Sequence, residues 1–107
     1  MPKYLFKGSY TAPGAKGLQS EGGVSRRDVV SKTVEGLGGR IEAFYFGLGG
    51  DEDVFVIADL PDDVTAVSMS IAVNAAGATG LKTIPLLTPE QVDEAVGKTV
   101  DYRPAGG

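Results

Sequence analysis

The sequence predicts one α+β domain in which strands and helices follow the order βαββαβ and the strands form a single antiparallel sheet. Three observations predict it. Two stretches, one from Ser25 to Leu37 and one opening at Asp62, repeat apolar residues at helical spacing. Four segments rich in β-branched and aromatic residues lie before, between and after them. Glycines, 16 in a chain of 107 residues, separate most of these segments.

The first strand is Tyr4-Leu5-Phe6-Lys7-Gly8-Ser9-Tyr10, which alternates in part. Thr11 to Gly23 holds Pro13, Gly14, Gly17, Gly22 and Gly23, and reads as a structured connection with at most a short helical turn. Ser25 is placed as an N-cap with Asp28 three residues on, a variant of the capping box. Val30, Val34 and Leu37 then give the apolar face of a helix that ends at Gly38-Gly39, where glycine accepts a left-handed conformation. Arg40 to Phe46 is the second strand and Gly47 to Glu52 a hairpin connection. Val54 to Leu60, the most apolar segment, is the third strand. Asp62 caps the second helix, and Val64, Val67, Ile71 and Ala75 are its expected buried face. Leu81 to Leu87 is the fourth strand. Thr88-Pro89-Glu90-Gln91 combines an N-cap Thr, Pro at the first helical position and Gln at the third, so a short helix follows to about Gly97. Residues 1–100 form the domain, and 101–107 a frayed tail.

The simplest packing of this order is a four-stranded antiparallel sheet in spatial order 4-1-3-2 with both main helices on one face, the ferredoxin-like arrangement. Pro85 supports it independently, because proline is tolerated on edge strands and the fourth strand is then an edge. Third-strand residues Val54, Val56 and Ala58 face one side and Phe55 and Ile57 the other. Both sets are apolar, so the strand is expected to be buried on both faces. Two helices cover only one of those faces. The other is expected to be covered by a second copy in a two-fold pair, since a bare apolar sheet face exceeds what monomers usually expose.

Several stretches resemble the GYD family: Pro2 to Thr11, Leu37 to Phe46, Val54 to Asp63, and Val73 to Glu90. The strongest markers are the run from Gly38-Gly39 to Phe46 and the strand from Asp53 to Pro61. The resemblance implies a dimeric α/β-barrel version of the ferredoxin-like fold and carries no assigned reaction. Asp53 stands at the family's Asp before the third strand. Glu52 occupies the place of the family's Tyr, so no role of that hydroxyl carries over.

Composition excludes more chemistry than it suggests. Without Cys there are no disulfides, thiolate nucleophiles or thiolate metal sites, and without His the commonest general base and metal ligand are missing. No cofactor and no transition metal are expected. A net charge of −4 with scattered basic residues argues against nucleic acid. No run spans a bilayer and the N-terminus is too polar for a signal peptide, so no membrane partner and a cytoplasmic location are expected. Arg26-Arg27 reads as a solvated helix start. Asp51-Glu52-Asp53 groups three carboxylates, but the spacing fits no EF-hand loop and turns favour Asp for local hydrogen bonds. Gly47 to Gly50 leads into a strand, not a helix, which argues against a phosphate cradle.

The remaining candidate ligand-binding residues are Tyr10, Tyr45, Lys7 and Asp53. Tyr4, Phe6 and Tyr10 share one face of the first strand. Lys7 points to the opposite face, with Asp59 and Asp53 as possible partners. Tyr pairs an apolar body with a donor, so these residues suit a small-molecule cleft between sheet and helices as well as a plain core. No constellation specifies a reaction. Three classes stay open: a small homo-oligomeric ligand-binding protein, a cofactor-free oxygenase- or isomerase-like enzyme on a cyclic or aromatic acid (by fold analogy alone), and a structural interaction module.

Overall fold

The computed structural model describes all residues from Met1 to Gly107. In chain order the elements are β1 (Lys3–Tyr10), α1 (Ala12–Glu21), α2 (Gly23–Gly36), β2 (Arg40–Phe46), β3 (Val54–Asp59), α3 (Asp63–Ala76), β4 (Thr79–Leu86) and α4 (Pro89–Val96). The strands form one sheet in the order β2-β3-β1-β4, with every neighbouring pair antiparallel. This is the neighbour sequence 4-1-3-2 counted from the opposite edge. Pro85 sits on edge strand β4 opposite Tyr4, where its missing N–H costs no ladder bond on the outer side.

Alternation along β1 and β3 sends Tyr4 and Phe6, with Val54, Val56 and Ala58, to the face that the helices cover. Val34 from α2, Ala66 and Met69 from α3, and Leu60 complete the core. On β2, Ile41 and Phe44 are three residues apart, which strict alternation would place on opposite faces. A register shift between Ile41 and Ala43 corrects this, so that Ile41, Phe44 and Phe46 all pack against the core. The displaced Glu42 pairs with Lys3 at 2.6 Å.

Three expectations need correction. Thr11 to Gly23 is not a loop with one helical turn: α1 runs ten residues, capped by Thr11, whose hydroxyl accepts from the Gly14 N–H at 3.2 Å. Proline in the first turn starts this helix instead of preventing it. Gly14 is there for room, since a Cβ on it would lie 1.9 Å from the Ala78 carbonyl oxygen. Secondly, α2 begins at Gly23. Gly22, at φ +85°, breaks the chain between α1 and α2, and Ser25 falls inside the first turn with no capping bond. Asp28 pairs with Arg27 instead.

The third correction concerns α3. Val64, Val67 and Ile71 are 79%, 51% and 64% exposed, whereas Ala66, Met69 and Val73 face the sheet. Both sides of this helix are apolar, so periodicity alone cannot choose between them. Polar anchors on one flank decide its rotation. Tyr4 donates its hydroxyl to Asp63 at 2.6 Å, and the Asn74 side chain accepts from Leu81 N–H at 2.7 Å and donates to its carbonyl at 3.1 Å. Within one chain β3 is buried on the helix-covered face, and the expected cover of its other face belongs to a second copy. Phe55 and Ile57 lie half-buried on the opposite face, which carries no helix. No helix is long and apolar enough to cross a membrane.

Candidate functional site

Helix α2 packs over β2 and α3 over β4, so the two helices leave a gap above the central strands. At one end Tyr4, Val34, Leu60 and Ala66 close it. At the other end the gap stays open as a cleft of about 170 Å³. Its floor is Phe6 and Tyr10 from β1, Phe44 from β2, and Val54 and Val56 from β3. Its walls are Arg26 and Val30 from α2, and Met69, Val73 and Ala76 from α3. Thr79 and Leu81 close the β4 side. Apart from the Tyr10 hydroxyl, Arg26 and Thr79 are the only polar side chains in the lining.

Tyr10 and Arg26 are close enough to influence each other. Burial raises the Tyr10 phenol above its ordinary value of 10.0, with the Arg26 charge opposing the rise and Glu21 and Asp53 adding to it. The hydroxyl is therefore a neutral donor at pH 7. Glu21 at the end of α1 holds the Arg26 guanidinium at 3.4 Å. A cation already paired with a carboxylate in this way can exchange it for the carboxylate of an incoming molecule.

The four sequence candidates do not converge. Tyr10 lines the cleft. Tyr45, 71% exposed, and Lys7 lie on the helix-free face of the sheet. Lys7 makes no ion pair, and neither Asp59 nor Asp53 is its partner. Its cross-strand neighbours are Phe55 and Lys82, because Asp59 sits at the far end of β3, where Lys3 (2.8 Å) and Arg40 (3.3 Å) hold it. The hydrogen bond from Lys3, then that from Arg40, keeps the Asp59 carboxyl below its usual range against the opposing effect of burial.

Asp53 has a structural task. Its carboxylate accepts the Tyr10 N–H at 2.9 Å, its own N–H donates to Gly8 O at 2.7 Å, and its carbonyl accepts from Gly47 N at 2.9 Å. The ladder between β1 and β3 ends at Gly8 and Val54, and the Asp53 carboxylate supplies the next rung with a side chain. This fixes the backbone of Tyr10 at the cleft. Glu52 accepts from Lys82 at 2.8 Å and Ser9 at 3.0 Å, which lowers its pKa. The Asp53 and Glu52 carboxylates thus point to different partners, and no group of three or more Asp or Glu side chains converges as a metal site would require.

Arg26 is the charged residue of the cleft that sequence reasoning missed, since Arg26-Arg27 reads there as a solvated helix start. The signal was present: Arg26 continues the Val30, Val34 and Leu37 face by one more turn, so it belongs to the sheet-facing side of α2. Met69 was missed because both faces of α3 are apolar.

A family model described as GYD domain matches residues 4–96, nearly the whole chain. Searches among curated proteins and among solved structures found no match.

Proposed function

The chain belongs to the GYD domain family, and from that premise we propose that it is a ferredoxin-like protein, paired as a dimeric α/β barrel, whose cleft binds one small apolar acid. The single observation that carries the ligand reading is the cleft: about 170 Å³, mostly apolar on floor and walls, with Arg26, Thr79 and the Tyr10 hydroxyl as its polar groups. Apolar cavities of about 150 Å³ accommodate a benzene-sized guest. The fitting class is therefore a single ring, or a branched chain of similar bulk, bearing a carboxylate. The ring fills the apolar part, the carboxylate meets Arg26, and Tyr10 donates to it.

Pairing is supported by the helix-free face of the sheet, where Leu5, Phe55, Ile57, Tyr45 and Ile84 are partly or largely exposed. A second copy packed on this patch would remove it from water.

Benzoate is a suitable probe, with benzene as its uncharged counterpart. Titration should shift the amide resonances of Val30, Val56 and Val73. Arg26→Gln should weaken benzoate about tenfold or more and leave benzene unchanged, since a charge-assisted hydrogen bond contributes roughly 1.5–3 kcal/mol. Absence of shifts at millimolar benzoate, or shifts confined to the 97–107 tail, would overturn the ligand reading.

A further inference from the structure

Helix α4 is well made and has nothing to pack against. Its capping box is complete, with Gln91 N–H donating to the Thr88 hydroxyl oxygen at 3.1 Å and Thr88 N–H donating to the Gln91 side chain at 2.8 Å. Val92, Ala95 and Val96 lie on one side of it at spacings of three and four. None of its residues is buried: Val92 is 46% and Val96 78% exposed, and beyond the helix Val100 and Tyr102 are more than two-thirds exposed. The segment stands away from the body. The chain measures 54 × 34 × 23 Å with a radius of gyration of 16.7 Å, against about 13 Å for a compact domain of this size.

We propose that residues 88–102 form an arm that docks on a second copy of this chain, along the margin of its helix-free sheet face that the facing sheet leaves uncovered. The inference rests on the two-fold pair proposed above. Two further observations select this surface. The first is charge. Helix α4 carries Glu90, Asp93 and Glu94 and no cation. The sheet face carries Lys3, Lys7, Arg40 and Lys82 against Glu42, Glu52 and Asp59, and these carboxylates pair with every one of the cations except Lys7. The exposed stripe Val64, Val67 and Ile71 on α3 has no comparable cation and adjoins Asp63, so an acidic arm is better matched by the sheet. The second observation is area. Four strands of six to eight residues present a footprint of about 450 Å² at ordinary strand spacing and rise. Side-chain corrugation enlarges this, but the face remains at the lower end of stable interfaces, which bury about 800 Å² per partner. An apolar arm added from each copy brings the interface to ordinary size.

The chain has no cysteine, so single thiols are clean probes. A Val96→Cys chain mixed with an Ala43→Cys chain should give a covalent heterodimer with a short bismaleimide, because Ala43 lies on the helix-free side of β2. The double variant Val92→Asp/Val96→Asp alters exposed positions only, and should weaken dimerisation about a hundredfold in sedimentation equilibrium through lost apolar burial. A dimer of unchanged affinity in that variant would overturn the arm while leaving the sheet-to-sheet pair intact. So would linkage of Val96→Cys to Val67→Cys in place of Ala43→Cys, or linkage only within one chain carrying both thiols. A wild-type monomer would overturn the pair and the arm together.

Discussion

Single side chains in this protein do jobs that their sequence positions only partly reveal. Tyr4 reads as a core aromatic, and it is one, at 1% exposure, yet its hydroxyl also reaches Asp63 at 2.6 Å and so anchors α3. Burial, with the Asp63 hydrogen bond adding to it, pushes the phenol up to about 12. A folded-state value above the unfolded one means that the folded form holds its proton more tightly. That stability is complete below the unfolded value near pH 10 and is lost as pH rises towards 12. Urea midpoints measured from pH 9 to 12 should therefore fall more steeply for the wild type than for Tyr4→Phe. At pH 7 that variant should lose about 1 kcal/mol for the missing hydrogen bond. Equal slopes would show that Tyr4 does not titrate as described. Asp53 was legible as a residue worth naming, because it precedes the third strand at the family's Asp. Its work as a substitute ladder rung was not legible, since the Tyr10 N–H it satisfies is 43 residues away in the chain. The same distance problem separated Lys7 from its assumed partners: alternation gives the face of a strand residue, but only register gives its neighbours.

At the scale of elements, the strands and the C-terminal cap were readable because their signals are local. The second strand, Arg40–Phe46, and the Thr88/Gln91 capping box stand where the residues place them. Helix α1 was not readable, because its glycines read as turn signals, whereas Gly14 serves packing and Gly17 is a plain helical residue. Gly14 and Gly17 lie in the same helix and make opposite predictions. Gly14→Ala should destabilise the fold by more than about 2 kcal/mol, since its Cβ would collide with backbone. Gly17 has open space around it, and Gly17→Ala should stabilise by about 0.5–1 kcal/mol through helix propensity. Thermal or urea unfolding of both variants decides this. The rotation of α3 was unreadable for a different reason: with apolar residues on both sides, the choice depends on Tyr4 and Leu81, which belong to other elements. The observed rotation predicts that Met69→Ala costs about 2–4 kcal/mol and Val64→Ala less than about 0.5 kcal/mol. The reverse order would restore the face that the spacing of Val64, Val67 and Ile71 suggests.

For the whole molecule the decisive feature is asymmetry. Helices α2 and α3 cover one face of the sheet, and the other face keeps Leu5, Phe55 and Ile57 half-exposed at its centre. The apolar run of the third strand announced this conflict in the sequence, because a strand with one wet face should alternate and this one does not. The cleft was less legible, since it depends on the spacing between α2 and α3 and on the unforeseen side of α3. The conflict leads to the final prediction. Sedimentation equilibrium at micromolar concentration should give twice the 11.0 kDa chain mass or a multiple of it. Ile57→Asp should shift the protein to monomer. Ile57 sits on central strand β3, paired with Leu5 on one side and Ala43 on the other. A charge there would have to be desolvated at the middle of the interface, at a cost of several kcal/mol. In the monomer the same carboxylate keeps contact with water, because Ile57 is only half-buried in one chain. Dissociation without unfolding is therefore the expected outcome, and circular dichroism separates the two. A wild type that remains monomeric at high concentration would mean that the open face is stable in water. The apolar outer set of β3 would then have no partner, and the barrel reading would fall with it.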